Sequence, residues 1–185
     1  MIALSVIGLA ASATISIEKT HLLQNPQTDL SCSINPVYSC QNVITSDQAS
    51  IFGFSNELIG IAFFGGTLAL GLGLLSGAKY SAWLHKLTLL GLLASMGVVI
   101  WFFYESVFVI NAVCIYCSTV WLATWSLLVR YSVWLITSKT LAVPKKYRIY
   151  TEAITRYALA IWALLITVFA GLILNHFWYY YGQYF

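Results

Sequence analysis

Charge is what this chain has least of. Of its 185 residues nine are Lys or Arg and six Asp or Glu, 8% in all, while 60% are hydrophobic; an ordinary soluble domain is roughly 25% charged. That balance excludes a water-soluble globular protein. The net charge of +3 does not call for nucleic acid, because the basic residues border apolar runs, where membrane orientation accounts for them. Histidine is sparse and scattered, at His21, His85 and His176. There is no second Cys-x-x-Cys, no odd cysteine, no stretch suited to a separate soluble domain and no transporter-type internal repeat.

What is there is a series of apolar runs. Met1 to Ile17 is uncharged and slightly short of the ~20 residues that span a bilayer, with Leu22 and Leu23 able to extend it. Ala11-Ser12-Ala13 resembles a leader-cleavage site, but no Lys or Arg precedes the apolar part, so the stretch reads as a retained helix. Further spans are expected at 58–78, 87–110, 114–136 and 157–180. The second is rich in glycine (Gly60, Gly65, Gly66, Gly71, Gly73, Gly77), which lets helices approach closely in lipid and predicts a place in the bundle interior. Residues 18–57 form the one long polar stretch, a loop with a short amphipathic piece near Asp47 to Phe54. The chain is expected to be a single all-α membrane domain over 1–185.

Orientation follows from the basic residues. Lys79, Lys86, Arg130, Lys139, Lys145, Lys146, Arg148 and Arg156 fall on one side, leaving Lys19 for the other, so the first side is expected to be cytoplasmic. Loop 18–57, residues 111–117 and the C-terminal Tyr/Trp cluster then lie outside, where disulfides persist.

The four cysteines form two pairs of unequal spacing, Cys32 with Cys40 and Cys114 with Cys117. Cys114-Ile115-Tyr116-Cys117 opens a predicted helix, where two thiols share a face and the helix dipole favours thiolate. Redox chemistry is the reading for this motif; a zinc half-site or two packing thiols are the alternatives, and zinc would ask for a second Cys-x-x-Cys or a His pair. Cys32 and Cys40 alone would read as a structural staple. Beside a second pair they read as a shuttle that exchanges with it.

These residues resemble the vitamin K epoxide reductase family. The resemblance lies in Ile7-Gly8-Leu9, the Cys-x7-Cys of the first outer loop, Ser46, Ile51-Phe52-Gly53, Asn56 followed by Gly60, and Cys-Ile-Tyr-Cys at the start of the fourth span. It covers most of the first four spans and implies a four-helix bundle around a quinone, here with a fifth helix. It implies a membrane thiol–disulfide oxidoreductase that passes electrons from a thioredoxin-fold protein through the loop cysteines and the Cys-x-x-Cys to a quinone of ubiquinone, menaquinone or phylloquinone type. Carried over by position, Cys117 faces the quinone, Cys114 is its disulfide mate, Cys40 attacks Cys114, and exposed Cys32 meets the partner. Asn56 stands where an asparagine hydrogen-bonds the quinone carbonyl in animal members; its plain alternative is a cap for the second span. Trp121 stands where animal members carry a tyrosine, a departure that points away from vitamin K epoxide, although Trp can stack on a quinone or donate its indole N–H. The other readings are quinone or epoxide reduction in the animal direction and a non-enzymatic scaffold stapled by disulfides.

Lesser expectations concern single residues. Glu105 either orients a proton relay or reaches the headgroups, Ser46 and Asp47 close the site or cap a short helix, and His176 anchors the chain at the interface. Trp101, Phe102, Phe103 and Tyr104 either line a quinone pocket or pack, and aromatic runs in membrane helices usually pack. The sequence ends at Phe185, shortly after the fifth span, whereas many microbial relatives continue into a tethered thioredoxin-fold domain; the expectation is a separate partner docking over the Cys32–Cys40 loop.

Overall fold

The computed structural model describes residues 1–26, 30–138, 140 and 148–182. Lys139, Lys145 and Lys146, three of the residues counted for the cytoplasmic side, lie outside them, as does the Arg148 side chain. The elements are α1 (Ile2–Gln24), α2 (Cys40–Ile44), a 3-10 turn (Asp47–Ser50), α3 (Asn56–Leu75), α4 (Ala82–Tyr104) continued by a π turn (Glu105–Val109), α5 (Ile115–Thr137), α6 (Arg148–His176) and α7 (Trp178–Tyr181). Among the described residues there is no strand, and five helices are long and apolar enough to cross a membrane. The protein is all-α and multi-pass.

Several helices outrun their apolar runs. α1 continues through Glu18 and Lys19 to Gln24, and α4 begins at Ala82 rather than near Leu87. Polar residues at a membrane border do not break a helix, because headgroups and water satisfy their side chains while the backbone stays internally bonded. α6 likewise begins at Arg148, well before Tyr157.

α1 packs on α3 and α5, α4 on α5, and α5 on α6. The most deeply placed helix is therefore α5, with 39% of its span buried against 22% for glycine-rich α3. The expectation of an interior α3 is corrected in this respect. A Cβ on Gly60 would stand 2.5 Å from Ser12 Oγ and one on Gly71 3.1 Å from Ile2 of α1, whereas Gly65 and Gly66 face open space. Glycine here permits one close contact with α1 and does not specify burial all round. Opposite it, Gly8 of α1 lies under the ring of Phe64, which is 1% exposed and leaves no room for a Cβ. The same seam holds a buried hydrogen bond between Ser5 Oγ and Thr67 Oγ1 (3.0 Å), the kind of interhelical link that replaces the missing hydrophobic drive inside lipid.

α6 lies against the α4/α5 side. Trp162 Nε1 donates to Ser126 Oγ (2.8 Å), and Phe169 packs on Phe103 with ring centroids 4.2 Å apart. At the end of the bundle bearing Tyr80 and Lys86, buried His85 shares a 2.8 Å hydrogen bond with Tyr131.

Candidate functional site

The opposite end of the bundle gathers both cysteine pairs. Cys32 and Cys40 are joined in a disulfide, with Cα atoms 5.6 Å apart, and Cys40 opens α2 behind Ser39, whose side chain accepts from Asn42 N–H. Asn35 Oδ1 accepts the N–H groups of Val37 (3.0 Å) and Tyr38 (2.8 Å), an Asx turn that shapes the loop tip. From that turn the chain runs beside the residues before α5. Tyr38 and Val113 form a parallel bridge, and Val113 N–H donates to Val37 C=O at 2.7 Å. Cys40, two residues beyond Tyr38, is thus brought beside Cys114, one residue beyond Val113, and both are fully buried.

Cys114 is the N-cap of α5, and its Sγ accepts the Cys117 N–H at 3.3 Å. The Cys117 thiol beside it, with the N–H groups of Cys117 and Tyr116, holds the Cys114 thiol below its ordinary range even though burial opposes this. Within the reduced pair Cys114 is therefore the more acidic thiol. The loop ahead of the cap is also fixed. Asn111 takes a positive φ of 56°, tolerated by asparagine, and its Oδ1 is 2.8 Å from His176 Nε2 at the end of α6. Ser106 Oγ, inside the π turn, donates to Ala112 C=O at 2.5 Å. His176, expected to anchor in the interface, also braces this loop.

Cys117 lines a cavity of about 290 Å³ enclosed by α1, α3, α4 and α5, and Cys114 does not. Its walls are chiefly apolar, with Ile15, Phe63, Phe64, Val99, Phe102 and Trp121 among them, and Val43, Ile44, Ala49 and Phe52, from α2 and the residues after it, line it at the loop end. Polar side chains enter at few points, including Ser12, Asn56, Glu57 and Thr124. Trp121 is 6% exposed and stands edge-on to Phe103, so its ring is held in place as part of the wall.

Asn56 is not the cap. Ser55 holds that position, and Asn56 Nδ2 instead donates to Gln48 C=O in the 3-10 turn (2.7 Å), while Oδ1 is buried with no hydrogen-bond partner. An amide held at one end, with one N–H and a bare oxygen left over beside an apolar cavity, suits a ligand that carries carbonyl or hydroxyl oxygen. A flat quinone ring meets that description, so the residues present fit the group that the family resemblance implies.

Two expectations need correction. Cys32 is 3% exposed rather than open to a partner, because Leu30 and Val37 pack into the same core; the exposed part of the loop is its tip, where Ile34 is 69% exposed. Ser46 caps nothing with its side chain, which donates to Val43 C=O (2.7 Å). Glu105, in the π turn, accepts from Gln48 Nε2 at 3.3 Å and so helps hold the same turn that Asn56 holds. The sequence reading missed Glu57 as a cavity residue and Asn111 as a brace. An acid in the first turn of a helix is favourable for its own sake, so Glu57 carries no local signal of a cavity, and the one signal for Asn111 is an asparagine shortly before the motif.

A multi-pass helical bundle whose polar loop carries a disulfide beside a buried Cys-x-x-Cys has the make-up of a membrane oxidoreductase. The chain belongs to the vitamin K epoxide reductase family, whose model matches residues 1–133, from α1 through most of α5. No curated protein matches it. All of α6, with the brace from His176, lies beyond the matched residues.

Proposed function

We propose that this protein couples the oxidation of a thioredoxin-fold partner's thiols to the reduction of a membrane quinone, with all of 1–185 acting as one membrane domain. The observation that carries the reading is the Tyr38–Val113 bridge, which holds the loop disulfide against the cap of α5 while the second cysteine of that motif lines the cavity. A thiolate of the partner attacks Cys32 as the exposed Ser33–Pro36 tip lifts from the core, and Cys40 leaves as thiolate. Cys40 attacks Cys114 of the oxidised Cys114–Cys117 pair, and Cys117 is released at the cavity wall. When the partner's second thiol frees Cys32, that thiol displaces Cys40 from Cys114, leaving Cys114 and Cys117 as a dithiol. A quinone bound in the cavity supplies the sink for two electrons and two protons as Cys114 and Cys117 close again.

Asn56 orients and polarises a ring oxygen with its free N–H, and Trp121 supplies a fixed aromatic wall for the ring. The walls are chiefly apolar, and a polar contact made against them is stronger than the same contact in water. The basic residues between spans support an extracytoplasmic position for both pairs. The deciding experiment is the ultraviolet and visible spectrum of purified protein with its bound quinone, before and after a dithiol is added. Loss of quinone absorbance, with gain of hydroquinone absorbance, is expected in wild type and not in Cys117→Ser. Quinone reduction that proceeds unchanged in Cys117→Ser would overturn the reading.

A further inference from the structure

Glu57 occupies an unusual place for an acid in this chain. It follows Asn56 in the first turn of α3, its side chain is 6% exposed, and it lines the cavity together with Cys117. Its only ionic partner among the described residues is Lys19 of α1, at 3.9 Å. That is an ion pair but too long for a hydrogen bond, so the carboxylate oxygens keep their lone pairs. No hydrogen-bond donor is recorded on them among the described residues. Taking a carboxylate out of water is costly unless hydrogen bonds replace its hydration, and a mere link between α1 and α3 would be made more cheaply by apolar side chains.

Resting on the reading of the cavity as a quinone site, we propose that Glu57 is a catalytic proton-transfer residue, which takes the proton released by the cysteine pair and delivers it to the ring oxygen. Closing Cys114 and Cys117 breaks two S–H bonds, forms one S–S bond and releases two electrons and two protons. The quinone takes up both electrons, and its two carbonyl oxygens take up both protons, so no further acid or reductant is required. Cys117 and Glu57 line one chiefly apolar cavity, so the carboxylate supplies a site where a proton would rest between the thiol and a bound ring. In the reverse direction the same oxygen accepts the hydroxyl proton of a hydroquinone. Asn56 would hold the ring while Glu57 moves the proton.

The test uses two measurements on the full chain in detergent. The first is equilibrium binding, to quinone-free oxidised protein, of a redox-inert phenol with an alkyl tail and of its O-methyl ether, which has no proton to donate. Glu57→Gln is expected to weaken the phenol by at least about tenfold, the loss of one charge-assisted hydrogen bond, and to leave the ether within about threefold. The second is single-turnover reduction of a short-tailed quinone by pre-reduced protein, expected to slow by roughly 10²-fold in Glu57→Gln. Reduction of the Cys32–Cys40 disulfide by dithiothreitol should keep its rate. Glu57→Asp, which retains a carboxylate, should recover most of the phenol affinity, and Lys19→Met, which removes the ion pair alone, should stay within about fivefold of wild type in both measurements.

If Glu57→Gln matches wild type in phenol binding and in quinone reduction, the proton role is overturned while the quinone reading stands. Lys19→Met reproducing the full losses of Glu57→Gln, or Glu57→Asp recovering nothing, assigns the residue to clamping α1 on α3 and also overturns it. Wild-type protein that neither binds the phenol nor reduces a quinone overturns both readings together.

Discussion

Replacing Asn56 by alanine separates holding the structure from assisting the reaction. In the structure the side chain makes one hydrogen bond, Nδ2 to Gln48 C=O at 2.7 Å. A neutral bond of this kind contributes about 1 kcal/mol net. Oδ1 is already buried without a partner, and deleting it relieves an existing desolvation cost of about 1 to 3 kcal/mol. The two changes oppose each other, so the expected loss of stability is at most about 1 kcal/mol. In catalysis the free N–H would meet an oxygen that gains negative charge, and one such donor is worth about 2 to 4 kcal/mol. At 1.36 kcal/mol per decade this is a slowing of roughly 30- to 900-fold. The assay is single-turnover reduction of a short-tailed quinone, with thermal unfolding measured on the same detergent preparation. A folded Asn56→Ala protein that reduces quinone within about threefold of the wild-type rate would refute the assignment and leave Asn56 as a tie between α3 and the 3-10 turn. Loss of several kcal/mol of stability would refute the energetic argument instead.

Other outcomes follow from the same geometry. Cys32→Ser should accumulate a Cys40–Cys114 disulfide, since the thiol that normally reclaims Cys40 is missing; peptide mapping that finds no such link in turning-over protein would disconnect the pairs. Gly8→Ala should cost about 1 to 3 kcal/mol, because the new Cβ meets the buried Phe64 ring, and a Gly8→Ala, Phe64→Leu double variant should recover part of that loss in thermal unfolding. In reduced, intact cells a membrane-impermeant thiol reagent should label Cys32 before Cys114 or Cys117, and labelling only after the cytoplasmic face is opened would invert the topology. His176→Ala should slow transfer from loop to cap by several-fold without altering quinone binding, as measured by stopped-flow reduction with a dithiol.

The fold was readable where composition speaks for a whole segment. Five apolar runs give five helices of spanning length, and borders were misplaced mainly where charged residues such as Lys19 and Lys86 continue a helix into the interface. Burial was harder to read, since a membrane-facing side chain and a core side chain have the same chemistry. That is why the glycines of α3 suggested an interior helix although α5, with its buried Cys117, Trp121, Thr124 and Ser126, lies deeper. For the site, the cysteine pattern located both pairs, because paired spacing and thiol chemistry are local properties. The bridge between Tyr38 and Val113, the burial of Cys32 and the cavity position of Glu57 depend on segments distant in the chain. No local pattern encodes them.

The Tyr38–Val113 bridge also bears on how the protein is made. Tyr38 lies in the loop after α1 and Val113 only ahead of α5, so α3 and α4 are made before the two can meet. Until then the loop has no docking edge, and the entropy of closing so long a segment opposes an early encounter. Cys32 and Cys40 are only 8 positions apart and are both made before Cys114, so an oxidant that meets the loop early can close their short ring before Cys114 is present. A loop that waits with its own thiols already paired offers no free sulfur to capture the wrong cysteine. Correct pairing is thereby favoured by the order of synthesis, and the loop reaches its place beside α5 in the oxidised form from which a first turnover begins.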